Sequence, residues 1–335
     1  MLEVSVLESI KVGLIEVGHW HSGMYVDTLT DMSSIEIVGV SDKNISTAKR
    51  AGEKVGCSHY VDYRELLEGQ ELDFAFVFGV HREMPDIIKS LINRGIPFMV
   101  EKPAGTDYKQ LKPLVKRVEK EGLFASVSFP YRYSPWVKRI SELRESGLLG
   151  DFLHGYYRYI TGPPQRYVDW GCSWMLDKEL SGGGCTINLS IHYIDLAMHL
   201  TGSEVKRVFA FMKNEGFRLE IEDFSVVILD MKDGSVHTIE TGYCNPSSGW
   251  NSTFSITTRN YTSLVYGEKC KIASRRKEEE ISLRGVNIYK NMIEETIKRY
   301  RIGMEPIASL RDCFTALKLV NKAYESNVCG KPIEI

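Results

Sequence analysis

The sequence predicts an α/β protein that begins with a doubly wound parallel sheet and continues into an α+β domain with an open, mainly antiparallel sheet. Strand and helix patterns alternate from Lys11 to Ser128, which favours a parallel sheet with helices on both faces. Strand patterns then follow one another closely from Phe152 to Tyr266, with Lys232–Ser235 as a hairpin turn. We therefore expect two domains, residues 1–128 and 129–335.

Length and composition indicate an ordinary globular protein. The chain has 335 residues, of which 43% are hydrophobic and 26% charged, enough to build two cores. Its net charge of -2 does not favour a nucleic-acid partner. The basic run Arg275–Lys277 is followed at once by Glu278–Glu280, so we expect a solvated hairpin or loop there.

The segment Met1–Ser9 contains Glu3 and Glu8 and lacks the basic start and apolar core of a signal peptide. No apolar run reaches the roughly 20 residues that a membrane span needs. The seven cysteines form no C-x-x-C pair. These features predict a cytoplasmic protein with reduced cysteines and no membrane association.

Periodicity and turn residues predict the individual elements. Phe74–Phe78 is wholly apolar and too short for a helix, which is typical of a strand buried on both faces. The other strands expected in the parallel sheet are Lys11–Val17, Ile35–Val40, His59–Val61, Ile96–Val100 and Phe124–Ser128. The main predicted helices are His19–Thr30, Ile45–Val55, Pro85–Arg94, Leu111–Glu121, Ile187–Leu200, Val286–Tyr300 and Leu310–Glu325.

The Ile96–Val100 strand ends in Glu101-Lys102-Pro103. Because ligands bind at the carboxyl edge of an open α/β sheet, we expect Lys102 to lie against a cofactor and a substrate. The alternative is a surface lysine that pairs with Glu101.

A weak dinucleotide fingerprint follows the first strand. Only its middle glycine, Gly18, is present, since Glu16 and His21 occupy the outer glycine positions. Asp42 ends the second strand, where a carboxylate binds the adenosine ribose of NAD and repels the 2'-phosphate of NADP. Asp42 or Asn44 could instead cap the next helix.

A glycine run, Gly182–Gly184, opens a predicted helix on which Asn188 and His192 share one face. A histidine is a natural general base for a hydroxyl proton. The alternative is a core histidine satisfied by hydrogen bonds, which is the commoner case for a lone histidine on an otherwise apolar helix. Asp195 and His199 continue the stripe, but no H-E-x-x-H pattern supports a metal site, so we expect none.

Six features in order resemble the Gfo/Idh/MocA oxidoreductase family. They are Gly18 with its strand-turn-helix setting, Asp42, Glu101-Lys102-Pro103, the turn Tyr131–Pro135, the glycine run with His192 and Asp195, and the ending from Pro306 to Gly330. The resemblance covers nearly the whole chain.

This resemblance implies a Rossmann-like first domain and NAD(P)-dependent oxidation or reduction of sugars, polyols or related carbonyl compounds. Lys102 takes the place of the family's lysine, His192 that of its catalytic histidine, and Asn188 that of an aspartate. NAD is the expected cofactor, with NADP as an alternative. With Asn188 in place of aspartate, His192 should be a weaker base and Lys102 should do more of the proton handling.

The expected site residues fall into three groups. The catalytic residues are Lys102, His192 and Asn188. The cofactor-binding residues are Gly18, His19, Trp20, Asp42, Lys43, Gly79, Val80, His81, Glu101 and Lys102. The substrate-binding residues are Tyr131, Arg158, Arg166, Trp174, Asn188 and His192.

The leading hypothesis is hydride transfer between nicotinamide and a hydroxyl or carbonyl carbon of a sugar-like or polyol substrate. Two alternatives remain: a glycosidase that uses NAD transiently, and a non-catalytic sensor that binds a dinucleotide or a sugar. Glu16 and Asn188 motivate the sensor hypothesis. By analogy with the family, we expect a homo-oligomer that pairs through the C-terminal sheet.

Overall fold

A computed structural model describes residues 9–335. The prediction about a signal peptide in Met1–Ser9 therefore lies almost wholly outside the described residues. Within residues 9–335, no helix is both long and apolar enough to cross a bilayer.

Six parallel strands form the first sheet, in the spatial order β3-β2-β1-β4-β5-β6. The strands are β1 (Ile10–Ile15), β2 (Ile35–Ser41), β3 (Ser58–Tyr60), β4 (Phe74–Val77), β5 (Phe98–Val100) and β6 (Ala125–Val127). The connecting helices are α1 (Ser22–Thr30), α2 (Ile45–Val55), α3 (Tyr63–Gly69), α4 (Met84–Arg94) and α5 (Tyr108–Glu121). The strand order reverses between β1 and β4, which creates the crevice where ligands bind in such sheets. The doubly wound sheet is confirmed.

Two predicted boundaries differ from the structure for local reasons. Helix α1 begins at Ser22 rather than His19, because the Ser22 N–H bonds back to the His19 carbonyl in a turn. Strand β5 begins at Phe98 rather than Ile96, because Ile96 still donates to Leu91 as part of the glycine cap of α4.

Nine strands form the second sheet, in the order β14-β13-β12-β11-β7-β10-β9-β8-β15. They are β7 (Phe152–Thr161), β8 (Val205–Lys213), β9 (Phe224–Met231), β10 (Val236–Gly242), β11 (Trp250–Thr258), β12 (Tyr261–Tyr266), β13 (Lys269–Ser274), β14 (Glu278–Ser282) and β15 (Ile333–Glu334). All pairs are antiparallel except β7 with β10. The predicted antiparallel sheet is confirmed, and the charged run from Arg275 is the hairpin between β13 and β14.

The helices of this part of the chain are α6 (Pro135–Glu145), α7 (Gln165–Asp169), α8 (Lys178–Ser181), α9 (Ile191–Thr201), α10 (Ile288–Arg301) and α11 (Leu310–Cys329). Helices α9 and α11 pack against one face of the second sheet. Helix α10 packs instead against α1 and the core of the first domain. The sequence did not predict helices α6, α7 and α8 or strands β13, β14 and β15. One helix was predicted over Ile187–Leu200, where the structure has a π turn at Thr186–Ser190 followed by α9.

The glycine run is explained by close backbone packing. A side chain on Gly184 would collide with the Glu222 carbonyl, and Gly182 and Gly183 have φ values of 83° and 147°. The Glu222 carboxylate accepts the N–H groups of Gly184 at 3.0 Å and Thr186 at 2.9 Å. These bonds fix the start of the π turn.

A buried ion pair connects three parts of the chain. Arg132, in the turn after β6, binds Asp195 of α9 through both of its forked nitrogens, at 2.8 and 2.5 Å. It also donates to the Ile307 carbonyl and pairs with Asp312 at the start of α11. Asp195 therefore anchors α9, with its carboxylate bound to Arg132.

Replacing this arginine should destabilise the protein strongly. Arg132→Met would leave the Asp195 carboxylate buried without its cation, so we expect the free energy of unfolding to fall by about 3–5 kcal/mol in urea denaturation. Arg259→Met is the matched control, because its pair with Asp151 is exposed on both sides and should contribute less than about 1 kcal/mol. Equal losses in the two variants would contradict this account.

Candidate functional site

The central contact of the site joins the end of β5 to the π turn. The buried Lys102 ammonium donates to the Asn188 side-chain oxygen at 2.8 Å and to the Asn188 backbone carbonyl at 2.9 Å. Asn188 in turn donates its amide N–H groups to the hydroxyls of Tyr167 at 2.7 Å and Tyr243 at 3.0 Å. The lysine is thus held by a neutral amide, which two tyrosines orient.

Asn188 and His192 were predicted to share one face of an α-helix. In the structure Asn188 lies in the π turn at Thr186–Ser190 and His192 lies in α9, and both side chains line one cavity. The Asn188 side chain binds Lys102, Tyr167 and Tyr243, and His192 is not among its hydrogen-bond partners.

His192 lies beside the lysine as a neutral imidazole. It is buried, and the rings of Tyr131 and Phe129 meet it edge-on at centroid distances of 5.6 and 6.1 Å. Its Nδ1 has no hydrogen-bond partner among residues 9–335. Burial, followed by the charge of Lys102, holds the pKa of His192 well below its ordinary value.

Lys102 titrates nearer to neutral pH than an ordinary lysine. Burial lowers the pKa of Lys102 to about 8, although the neighbouring Glu101 opposes the shift. An amine with this pKa is present in both its charged and its neutral form close to physiological pH. Such a group can take up or deliver a proton.

Glu101 takes no part in this proton exchange, because its own hydrogen-bonding partners keep it ionised. It is buried, accepts the Tyr25 hydroxyl at 2.8 Å and faces His21 Nδ1 at 3.3 Å. Burial alone would raise the pKa of Glu101, but His21 and its hydrogen bond keep that pKa well below the ordinary value. Glu101 is therefore a permanent anion, and the alternative of a surface Lys102–Glu101 pair is wrong.

A cavity of about 690 Å³ opens above these groups. Lys102, Asn188 and His192 line its buried end, together with Tyr131 and Tyr193. Arg166, also expected from the sequence, lines it further out. The structure therefore brings together all three predicted catalytic residues and two more of the predicted substrate contacts.

Two predicted substrate residues lie outside the lining of this cavity. Arg158 projects from the opposite face of β7 from Tyr159, which does line it, and binds Glu240 and Asn251. Trp174 packs instead against His19, with ring centroids 6.1 Å apart, and against His81 at 4.8 Å. Side chains alternate between the two faces of a strand, which explains the position of Arg158. The fold of the loop before the glycine run explains the position of Trp174.

The expected cofactor residues after β1 and β2 meet at a second cavity of about 670 Å³, which is lined by Gly18, His19, Trp20 and Asp42. Asp42 accepts the Gly18 N–H at 2.6 Å. A Cβ atom on Gly18 would lie 2.6 Å from the Asp42 carboxylate, so the close approach requires glycine. Asn44, not Asp42, caps α2, which leaves Asp42 at the crevice and fits a dinucleotide ribose.

Glu16 occupies the first glycine position with φ of 61°. It is buried and lines a smaller cavity with Lys43 and Glu83, whose ion pair spans 2.5 Å. Burial, followed by the charge of Asp42, raises the pKa of Glu16 to about 7. Because part of the Glu16 population is then neutral at physiological pH, its conflict with a pyrophosphate is smaller than its sequence position suggests.

A hydrogen bond connects the segment after β4 to the second domain. His81 is buried and its Nδ1 lies 2.8 Å from the Ser181 carbonyl oxygen. Gly79 packs near Ile87 and Glu16. Neither Gly79, Val80 nor His81 lines either of the two larger cavities, so their predicted cofactor contacts stay predictions.

Sequence reasoning missed several residues that build the site. They are Tyr25, which binds Glu101; Tyr243, which binds Asn188; and Tyr289 and Trp250, which line the larger cavity. They come from distant parts of the chain and carry no local motif. Residues 9–335 contain no cluster of three or more His, Cys, Asp or Glu placed to hold a metal ion.

Comparison with known proteins bears on the same two regions. The family described as "Oxidoreductase family, NAD-binding Rossmann fold" matches residues 10–129. The "GFO/IDH/MocA C-terminal domain" matches residues 137–272. Together the two matches span most of the chain.

Individual relatives agree with this. The Bacillus subtilis oxidoreductase YrbE is 24% identical, covering 98% of this chain and 97% of that protein. The scyllo-inositol 2-dehydrogenase (NAD(+)) of the same organism is 22% identical, covering 70% and 67%. The solved structure of levoglucosan dehydrogenase with NADH and levoglucosan has a TM-score of 0.88 at 17% identity, covering 98% and 100%, which shows the shared fold.

The resemblance inferred from sequence motifs is thereby confirmed, and NAD is the cofactor of the matched first domain. The chain belongs to the Gfo/Idh/MocA family and is an NAD-dependent oxidoreductase.

Proposed function

We propose that this oxidoreductase transfers hydride between NAD and a hydroxyl or carbonyl carbon of a sugar or polyol, with Lys102 and His192 handling the proton. The observation that carries the proposal is the buried Lys102 ammonium, held by Asn188 in the larger cavity, with a pKa lowered to about 8. Hydride loss from an alcohol carbon requires that a nearby base takes the hydroxyl proton.

The chain's own residues have separate tasks in this scheme. Lys102, when neutral, accepts the hydroxyl proton during oxidation, and, when charged, returns it during reduction. Asn188 holds the lysine amine in place, and its own orientation depends on Tyr167 and Tyr243. His192, kept neutral by burial, is the second group that can accept a hydrogen bond from the substrate.

On the cofactor side, we propose that Gly18, His19, Trp20 and Asp42 hold the dinucleotide. NAD supplies the hydride acceptor or donor. The Asp42 carboxylate suits the ribose hydroxyls of NAD and repels the 2'-phosphate of NADP. Lys43 would attract that 2'-phosphate, but its ammonium is already paired with Glu83. We therefore expect the protein to prefer NAD over NADP.

Two features support a sugar or polyol as the substrate. The cavity combines aromatic rings, such as Tyr131 and Tyr193, with the polar atoms of Lys102, Asn188 and His192. Rings stack on the apolar face of a sugar while polar groups bind its hydroxyls. The names of the inositol and levoglucosan dehydrogenases among the similar proteins point the same way.

The sensor and the NAD-dependent glycosidase are less well supported. The relatives named above are oxidoreductases and dehydrogenases. Neither departure from the family pattern disables the site: the buried Glu16 has a raised pKa, and Asn188 still binds Lys102.

Three wider predictions stay proposals. The division into residues 1–128 and 129–335 follows the break between the two sheets. The uncovered face of the second sheet exposes large apolar side chains, which suits a homo-oligomer: Leu153, Phe211, Val236, Leu264 and Tyr266. A cytoplasmic location remains an expectation from the sequence.

The proposed reaction is tested by Lys102→Met, which keeps the length of the side chain and removes the amine. With NAD and a panel of polyols and sugars, we expect kcat to fall by about 100-fold or more, because the base is lost. Calorimetry should show that NAD still binds within a few-fold of the original affinity. Lys89→Met, on the exposed face of α4, is the matched control and should keep full activity.

Three outcomes would contradict the proposal. Near-normal turnover in Lys102→Met would remove the lysine from the proton transfer. Tight NAD binding by the wild-type protein without NADH formation on any sugar or polyol would favour the sensor. If products form with no net change in NAD, the transient-redox glycosidase is favoured instead.

The cofactor assignment is tested by Gly18→Ala. The added Cβ would lie 2.6 Å from Asp42 and must displace its carboxylate, so NAD affinity measured by calorimetry should fall by about tenfold or more. Gly249→Ala, whose Cβ would make only an ordinary 3.7 Å contact with the Ser247 hydroxyl oxygen and which does not line this cavity, should keep the original affinity. Equal affinities in the two variants would show that Asp42 does not contact the cofactor.

A further inference from the structure

The residues that line the larger cavity differ between its buried floor and its solvent-exposed mouth. Lys102 and Asn188, at the floor, are each 2% exposed, whereas Trp170 is 50% and Trp250 is 68% exposed. All four residues line the same space. The floor therefore offers buried polar atoms, and the mouth offers large aromatic faces that are open to solvent.

The mouth is built from three separate segments. Trp250 begins β11 and pairs in register with Thr161 at the end of β7. Trp170 follows α7 and stacks on Trp20 of the fingerprint turn, with ring centroids 6.5 Å apart and an angle of 25° between the planes. The rings at the mouth thus come from both halves of the chain.

Two polar side chains near the mouth already have partners within the protein. The Arg166 guanidinium donates to the carbonyls of Gly162 and Pro163 and to the Tyr167 hydroxyl. Gln165 donates to Asp169 at 3.3 Å. The hydroxyls of Thr161 and Ser248 also line the cavity, so a ligand group that reaches the mouth meets two exposed ring faces with a few polar groups beside them.

Exposed aromatic residues that cluster inside a cavity mark a binding site, whereas scattered ones need no explanation. The rings are continuous with the floor, so the molecule that reacts beside Lys102 is also the one that can cover them. A partner protein or a second copy of this chain would have to enter the cavity to do so.

We propose that the substrate is a glycoside whose aglycone is a planar aromatic ring. The sugar ring lies at the floor, and the aglycone packs against Trp250 and Trp170. An aromatic aglycone suits these two exposed rings, because aromatic rings that pack on one another gain more than the area they bury. A second sugar is the competing occupant, since it could use the hydroxyls of Thr161 and Ser248, and the test therefore includes disaccharides. The sugar half of this inference rests on the proposed function.

The test compares phenyl glycosides of common hexoses, in both anomers, with the matching methyl glycosides, free sugars and disaccharides. We expect kcat/KM for a phenyl glycoside to exceed that for the methyl glycoside by about tenfold, through a lower KM, as one good ring contact gives. Trp250→Ala should reduce this ratio to near one, and Trp250→Phe should keep most of it. Phe217→Ala, which removes an exposed ring that neither lines the cavity nor belongs to the proposed oligomer face, should leave the ratio and the activity unchanged.

Binding is measured separately, so that failure of the two proposals can be distinguished. Calorimetry with the NAD-loaded protein should give about tenfold tighter binding of phenyl than of methyl glycosides, and this difference should disappear in Trp250→Ala. That result supports the aromatic subsite even if no sugar is oxidised. Equal affinities, a preference for disaccharides, or a phenyl preference that survives Trp250→Ala would each overturn it while leaving hydride transfer to be judged by turnover.

Discussion

The site depends on a single interaction, the contact between the buried Lys102 ammonium and the oxygens of Asn188. Removing an ammonium from water disfavours its charge, and a neutral amide restores less of that loss than a carboxylate would. Burial therefore lowers the pKa of Lys102, and the charge of Glu101 opposes the shift. Strand β5 supplies the lysine, and the π turn supplies both oxygens.

The surrounding structure keeps that contact in place. Glu222 fixes the start of the π turn through two backbone N–H groups. The Arg132–Asp195 ion pair anchors α9 just beyond it. Glu101 stays charged because Tyr25 and His21 face it, which partly offsets the desolvation of the adjacent lysine. The position of Lys102 therefore depends on residues from both parts of the chain.

Elements that depend on strong local patterns could be predicted from the sequence. Contacts between segments that are distant along the chain could not. Short apolar runs predicted the parallel sheet, and the Glu101-Lys102-Pro103 motif predicted the reacting edge. The π turn could not be predicted, because the glycine-rich backbone packs against Glu222, a residue far along the chain. Arg158 was misassigned because one residue of register decides which face of β7 it occupies. The aromatic mouth depends on Trp250, whose neighbours are set by sheet pairing.

The most direct measurement of the central claim is a pH titration of Lys102 by NMR of lysine labelled at Cε, assigned with the Lys102→Met variant. The account predicts a midpoint about 8 for the wild-type protein. Above that pH the amine is neutral and able to accept a proton. Asn188→Asp should move the midpoint upward, because an adjacent carboxylate favours the charged form. A wild-type midpoint equal to that of the exposed lysines, or no change in Asn188→Asp, would contradict the account.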